Sequence, residues 1–262
     1  MARSAIEMSD VSKRFTRAGN GGGGYEAVCN FTLSVNEGEF FCLLGPTGCG
    51  KSTILHLIAG FERPTTGQVR VFGEEVRQPG ADRAVVFQTE LAIFPWLTVE
   101  ENVSFGMRMR GVPAEEQSRS LEANLQLVGL TPHRRKFPRE LSGGMKQRVQ
   151  IARVLANNPR ILLMDEPFAA LDAQTRRRMQ EETARIWAAT GKTVVFVTHD
   201  IGEALWLADR IGVMTRGPRA CIKDTVAVTL LRPRATMTPE FVRLFNELGG
   251  LIQTEAEAML HE

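Results

Sequence analysis

At 262 residues the chain can hold one large α/β domain or two small ones. Its 43% hydrophobic and 24% charged residues are ordinary for a globular protein, and a net charge of +2 gives no argument for nucleic acid as a partner. No apolar run approaches the ~18 residues needed to span a bilayer, and no apolar segment of a signal peptide follows Met1 to Glu7. A cytosolic protein is expected. Cys29, Cys42, Cys49 and Cys221 form no C-x-x-C pair or zinc spacing, which fits reduced thiols.

In chain order, Ile6 to Phe15 reads as a first, edge strand, and the glycine-rich stretch from Arg17 to Gly24 as a flexible loop. Phe31 to Val35 alternates as a strand, and Asn36-Glu37-Gly38 turns it into the apolar run Phe40-Phe41-Cys42-Leu43-Leu44, a buried strand. Gly45-Pro46-Thr47-Gly48-Cys49-Gly50-Lys51-Ser52-Thr53 follows, with the G-x-x-x-x-G-K-S pattern of a phosphate-binding loop. Ile54 to Ala59 has helical spacing and Gly60 ends it. A strand feeding a glycine loop and a helix aims backbone N–H groups at one point, where the helix adds roughly half a positive charge. Lys51 is then expected on the β- and γ-phosphates and Ser52 on Mg²⁺. Cys49, close to that terminus and to Lys51, is expected to be a reactive thiol.

Gln68 to Phe72 alternates again, and Ala84 to Phe87 is a short buried strand ending at Gln88. From about 89 to 158 the character is helical. A helix starts at Pro113 with Leu121, Leu125 and Val128 on its apolar face, and Gly129 ends it. Arg134-Arg135-Lys136 with Arg139 is a basic cluster, either a solvated face or a lipid or partner contact. A further helix runs from about Ser142 to Ala156, opened by Leu141-Ser142-Gly143-Gly144-Met145-Lys146-Gln147-Arg148. Two glycines at its start make a second candidate anion site, although a plain serine cap explains them too.

Ile161 to Met164 is a continuous apolar strand that delivers Asp165 and Glu166 at its carboxyl end, where open α/β sheets bind ligands. Asp165 suits Mg²⁺, and Glu166 suits orienting or deprotonating a water; a helix cap is the bland alternative. Asp172 caps a helix that reaches Thr190 and stops at Gly191, with Arg176-Arg177-Arg178 on its wet side. Thr193 to Val197 is another buried strand, presenting Thr198-His199-Asp200 at its end, and His199 is either structural or within reach of a γ-phosphate. Ile211 to Met214 and Ala220 to Val228 close the sheet. A final helix from Pro239 carries Phe241, Leu244, Phe245 and Leu248 on one face.

The run Leu141 to Arg148 resembles the signature motif of ATP-binding cassette (ABC) ATPases. The phosphate loop, Gln88, Ile161 to Pro167, Leu171-Asp172 and His199 fall in that family's order, over nearly the whole chain. Ala169 departs from the serine common there. The resemblance implies an α/β P-loop NTPase fold of the ABC type, with a mostly parallel core sheet, an antiparallel β subdomain and an inserted helical subdomain. A nucleotide-binding domain would cover 4–235, its helical subdomain about 89–158, and a C-terminal helical tail 236–262. The resemblance further implies Gln88 as a sensor of metal and water, Asp165 as the metal-side acid, Glu166 as the catalytic base and His199 as the γ-phosphate switch. Phe15 sits where the family places an aromatic under adenine, with Tyr25 as a rival. Ser142-Gly143-Gly144 would close over ATP bound to the opposite subunit of a homodimer.

Leu91 to Val103, with Phe61 to Gly67, is similar to importer ATPases of the nitrate, sulfonate and taurine group. This implies peripheral attachment at the cytoplasmic face of the inner membrane. Permease subunits would dock near Leu91 to Leu97, and a periplasmic or surface solute-binding protein would act indirectly. Trp96 is either a docking residue or part of the core. The alternative is a soluble ABC ATPase not coupled to transport; co-purification with a membrane protein separates the two.

Overall fold

The computed structural model describes residues 3–16, 24–87, 93–169, 171–236 and 238–257. Gln88, Leu91, Ala92 and most of the glycine-rich stretch after Phe15 lie outside the described residues. Two compact units are formed, Met1–Gly80 with Lys192–Glu262, and Ala81–Gly191.

The first unit contains two sheets. In the antiparallel one, β1 (Ser4–Phe15) pairs with β2 (Tyr25–Asn36) and with β4 (Thr66–Val71), and β5 (Glu74–Glu75) pairs with β4. β1 is therefore interior, not the edge strand its sequence suggests. Alternation fixes which face of a strand is buried, as Ile6 and Met8 are, but says nothing about how many of its edges are paired. Here Val71 and Val69 lie opposite Ile6 and Met8 and complete the second edge.

In the second sheet β3 (Phe40–Leu44) runs parallel to both β8 (Thr193–Thr198) and β9 (Arg210–Met214), and β10 (Ile222–Ala227) closes it antiparallel to β9. Every residue of β3 and β8 is buried, as expected of parallel strands covered on both faces. The helices of this unit are α1 (Lys51–Ala59), α6 (Ile201–Leu207) and α7 (Pro239–Glu257). α7 packs against α6 and β9 through Phe241, Leu244 and Leu248, whereas Phe245 is exposed.

The second unit pairs β6 (Arg83–Val86) in parallel with β7 (Ile161–Asp165) and adds α2 (Val99–Met109), α3 (Ala114–Leu127), α4 (Gly143–Ala156) and α5 (Ala173–Thr190). α2 starts on a capping box, in which Thr98 Oγ1 accepts from Glu101 N–H and Glu101 Oε2 accepts from Thr98 N–H. Two bonds donated to the Glu101 carboxylate, from Thr98 N–H and from the Thr98 hydroxyl, lower the Glu101 pKa from its ordinary value. Buried Asn102 donates to the Phe94 and Leu97 carbonyls and accepts from Phe94 N–H, which fixes the turn carrying Trp96. Of the expected wet side of α5, Arg178 is exposed while Arg176 and Arg177 are half-buried.

Candidate active site

The first unit holds the phosphate loop. β3 ends at Leu44, and the chain turns through left-handed Gly48 and Gly50 into α1. Glycine is required at Gly50 on two counts. Its φ of 97° disfavours any side chain, and a Cβ there would lie 2.9 Å from Val28 Cγ1 and 3.2 Å from the Ala27 carbonyl. As the residue preceding α1, Gly50 offers no side chain to cap it, and the first turn of α1 has no acidic residue. A helix start left bare in this way carries partial positive charge and favours an anion. Lys51 is 4% exposed, and its ammonium donates to the carbonyls of Gly45 (2.8 Å) and Pro46 (2.9 Å). The charge is thus held inside the loop. Thr47, Gly48 and Ser52 are exposed, and Pro46 and Thr53 are partly so.

Cys49 is fully buried, its Sγ 3.0 Å from the place a Gly45 Cβ would occupy. The accessibility that a reactive thiol needs is missing at Cys49; half-buried Cys29 and Cys221 are the more open thiols.

Parallel pairing of Leu44 with Thr198 puts the phosphate loop and His199 at neighbouring strand ends, and His199 is exposed there. Behind it lies a carboxylate that the sequence reading missed. Thr198 Oγ1 donates to Glu203 Oε2 at 2.6 Å and accepts from Asp200 N–H at 3.0 Å, while Asp200 Oδ1 accepts from Glu203 N–H and caps α6. The signal available was the spacing Asp200-x-x-Glu203 after a strand, a capping-box pattern.

Phe15 and Tyr25 face each other as the last pair of the β1–β2 ladder, both exposed. Lys13 Nζ sits 4.9 Å from the Phe15 ring centroid. The Tyr25 hydroxyl is 3.4 Å from where a Gly217 Cβ would be, and that point is 3.0 Å from the Gly48 carbonyl. Tyr25 thus approaches the phosphate loop through Gly217.

The second unit holds the acids and the glycine-opened helix. β7 delivers half-buried Asp165 and Glu166, and Glu166 has a left-handed φ of 40°. A glutamate in that region is strained, a condition that concentrates at functional positions. Val86 pairs with Met164, so the chain heading toward Gln88 leaves β6 beside Asp165. Ser142 caps α4 by accepting from Met145 N–H, and Gly143 and Gly144 form its first turn with no acidic residue. A Cβ on Gly144 would lie 2.8 Å from Thr175 Cγ2, so glycine here permits close approach of α4 to α5. Asp172 caps α5 by accepting from Gln174 and Thr175 N–H. Hydrogen bonding at Thr175 is the main reason its pKa lies below the usual range.

Comparison with known proteins gives the family of this chain. The ABC transporter family model matches residues 28–169. The taurine import ATP-binding protein TauB of Jannaschia sp. is 45% identical over 262 residues, covering 97% of this chain and 96% of that protein. The nitrate import ATP-binding protein NrtD of Synechococcus elongatus is 46% identical, covering 81% of this chain and 78% of that one. Among solved structures, a dimeric post-hydrolysis state of the ATP-binding cassette MJ0796 bound to ADP and Pi is similar at a TM-score of 0.72 and 30% identity, over 86% of this chain and 100% of that one. Bare phosphate-loop helix, strained acid after β7 and glycine-opened α4 thus stand in a chain that belongs to the ABC transporter family, as one of its ATP-binding ATPase cassettes.

Proposed function

We infer that this chain binds and hydrolyses ATP to power the import of a small solute through a separate membrane permease. The observation that carries the reading is the uncapped start of α1 with the Lys51 ammonium held inside the loop. Such a cradle suits the β- and γ-phosphates, because its N–H groups and charge are in place before the ligand arrives. Phe15 or Tyr25 offers a ring for adenine at the open end of β1 and β2.

Glu166 would orient the attacking water and accept its proton, and His199 and Gln88 would report on the γ-phosphate. Among the described residues no cluster of three or more acidic, histidine or cysteine groups could hold a metal unaided. Mg²⁺ takes one or two carboxylates with substrate phosphates and water. Ser52 and Asp165, with Gln88, are the residues that would hold it, and when bound it neutralises charge on the phosphates. Ser142-Gly143-Gly144 would cover ATP held by a second copy of the chain, as the dimeric state of the MJ0796 cassette suggests.

The permease is proposed to dock on the turn that follows Gln88, the described part of Leu91 to Leu97. Trp96 is 69% exposed and stacks on Phe94 at 5.4 Å, so the docking reading of this residue is preferred to the core one. Arg153 lies 4.2 Å from the Phe94 ring and also lines a cavity of about 220 Å³ with Phe87, Val85 and Gln150. Attachment at the cytoplasmic face of the membrane follows from this docking. No helix among the described residues is long and apolar enough to cross a membrane.

Lys51→Ala tests the cradle. Turnover should fall at least ~10²-fold, the usual cost of losing a preorganised donor, with weaker ATP binding in the same protein. Near wild-type hydrolysis would remove Lys51 from the site.

A further inference from the structure

The second unit contains a cavity of about 300 Å³ lined by Arg148, Arg178 and His133, with Ser142, Gly144 and Thr175 beside them. The cavity is cationic, and among the described residues no acidic one lines it. Acids along α5 that could compensate Arg178 are already engaged, since Glu181 pairs with Arg177 and Glu182 with Arg185. Glu100 and Glu122 are likewise engaged by Arg134, the residue next to His133. Arg148 Nε and His133 Nδ1 are buried atoms with no hydrogen-bond partner. Arg148 Nη1 lies 3.6 Å from the point where a Gly129 Cβ would stand, and Gly129 is itself a lining residue. The start of α4, with no acidic residue in its first turn, adds partial positive charge to the same wall.

Like charges gathered without a counter-charge repel. One added anion removes that cost. We propose that this cavity is a binding site for a small inorganic oxyanion such as sulfate or phosphate, held by Arg148, Arg178 and His133. Three features select this ligand class. Arginine's fork of donors matches an oxyanion, among the described residues no Phe, Tyr or Trp lines the cavity to stack a base, and the volume leaves room for hydrating water at ~30 Å³ each. The site lies wholly within the second unit and is distinct from the phosphate loop. Because Gly144 and Thr175 also line it, an anion there bridges the first turns of α4 and α5.

The test uses the full chain carrying Lys51→Ala, so that the phosphate loop does not contribute. Sulfate, and separately phosphate, is titrated calorimetrically at constant ionic strength against chloride. Saturable binding with one site per chain is expected. Adding Arg178→Ala, at an exposed position where folding is not at risk, should weaken it at least tenfold. Arg148→Gln should weaken it similarly, whereas Arg177→Ala, whose partner is Glu181 outside the cavity, should not. Absence of saturable binding in the Lys51→Ala protein overturns the proposal. So does equal affinity in the Arg178→Ala and Arg177→Ala proteins, which would reveal an adventitious ion only. Neither result bears on ATP hydrolysis, which is tested separately by Lys51→Ala alone.

Discussion

Thr198 and Glu203 are joined by a buried hydrogen bond of 2.6 Å immediately behind His199. The Thr198 hydroxyl is used twice, donating to the carboxylate and accepting from Asp200 N–H, so it ties the end of β8 to the start of α6. Thr198→Val keeps the shape but removes both bonds. A buried acid losing a donor costs about 1–3 kcal/mol, and a melting experiment should read that loss. His199 loses its fixed backbone as well, so kcat should fall while ATP affinity stays close to wild type. An unchanged kcat in a protein of lowered stability would make Thr198 a purely structural residue.

Close approach of α4 to α5 rests on one missing methyl. Gly144→Ala places a Cβ 2.8 Å from Thr175 Cγ2, and overpacking of this kind costs about 1–3 kcal/mol. Adding Thr175→Ser deletes the opposing methyl and should recover most of the stability. If the double variant is no more stable than Gly144→Ala, the contact is not what requires glycine at this position.

Asp172 gives the start of α5 a pH dependence of known sign. Hydrogen bonds from Thr175 and Gln174 lower its pKa in the folded chain. The stabilisation is therefore fully present above the unfolded value, ~3.9, and is lost as pH falls through the depressed folded value. Asn also caps helices but does not titrate. Wild type should melt above Asp172→Asn at pH 7, and the difference should shrink progressively below about pH 4. A difference constant down to pH 2 would show that the Asp172 charge contributes nothing.

Local patterns were legible in the sequence to the extent that one residue type has one physical use. The bare start of α1 could be read because Gly50 and Lys51 follow an apolar strand, and the caps at Ser142 and Asp172 belong to residues that favour that position. Features that depend on distant neighbours were not legible. β1 became interior because β4 returns beside it, and Cys49 became buried because Gly45 and its surroundings enclose the sulfur. Short α6 was hidden because its seven residues carry no measurable period, and only its cap announces it. The Arg148 cavity needed three segments, around His133, at the start of α4 and along α5, to meet in space.

Glu166 joins the chemistry to the assembly, and its conformation makes the test sharp. Its left-handed φ of 40° is a strain that a residue serving only as a turn would relieve by becoming glycine. Glu166→Gln retains the shape and the strain and removes only the charge that draws a proton from water. Binding does not need the Glu166 charge, so ATP affinity should persist while hydrolysis falls by ~10²–10⁴, the range for loss of a general base. Unhydrolysed ATP should then hold two copies together if Ser142-Gly143-Gly144 covers nucleotide on the opposite chain. Light scattering should show a dimer with MgATP and a monomer without it. Adding Ser142→Arg should break the dimer, because bulk enters the first turn of α4 where the phosphate would sit. A monomer at saturating MgATP, with or without the permease present, would count against the composite site. Normal turnover by Glu166→Gln would reject Glu166 as the base, and the strain at its φ would then need another purpose.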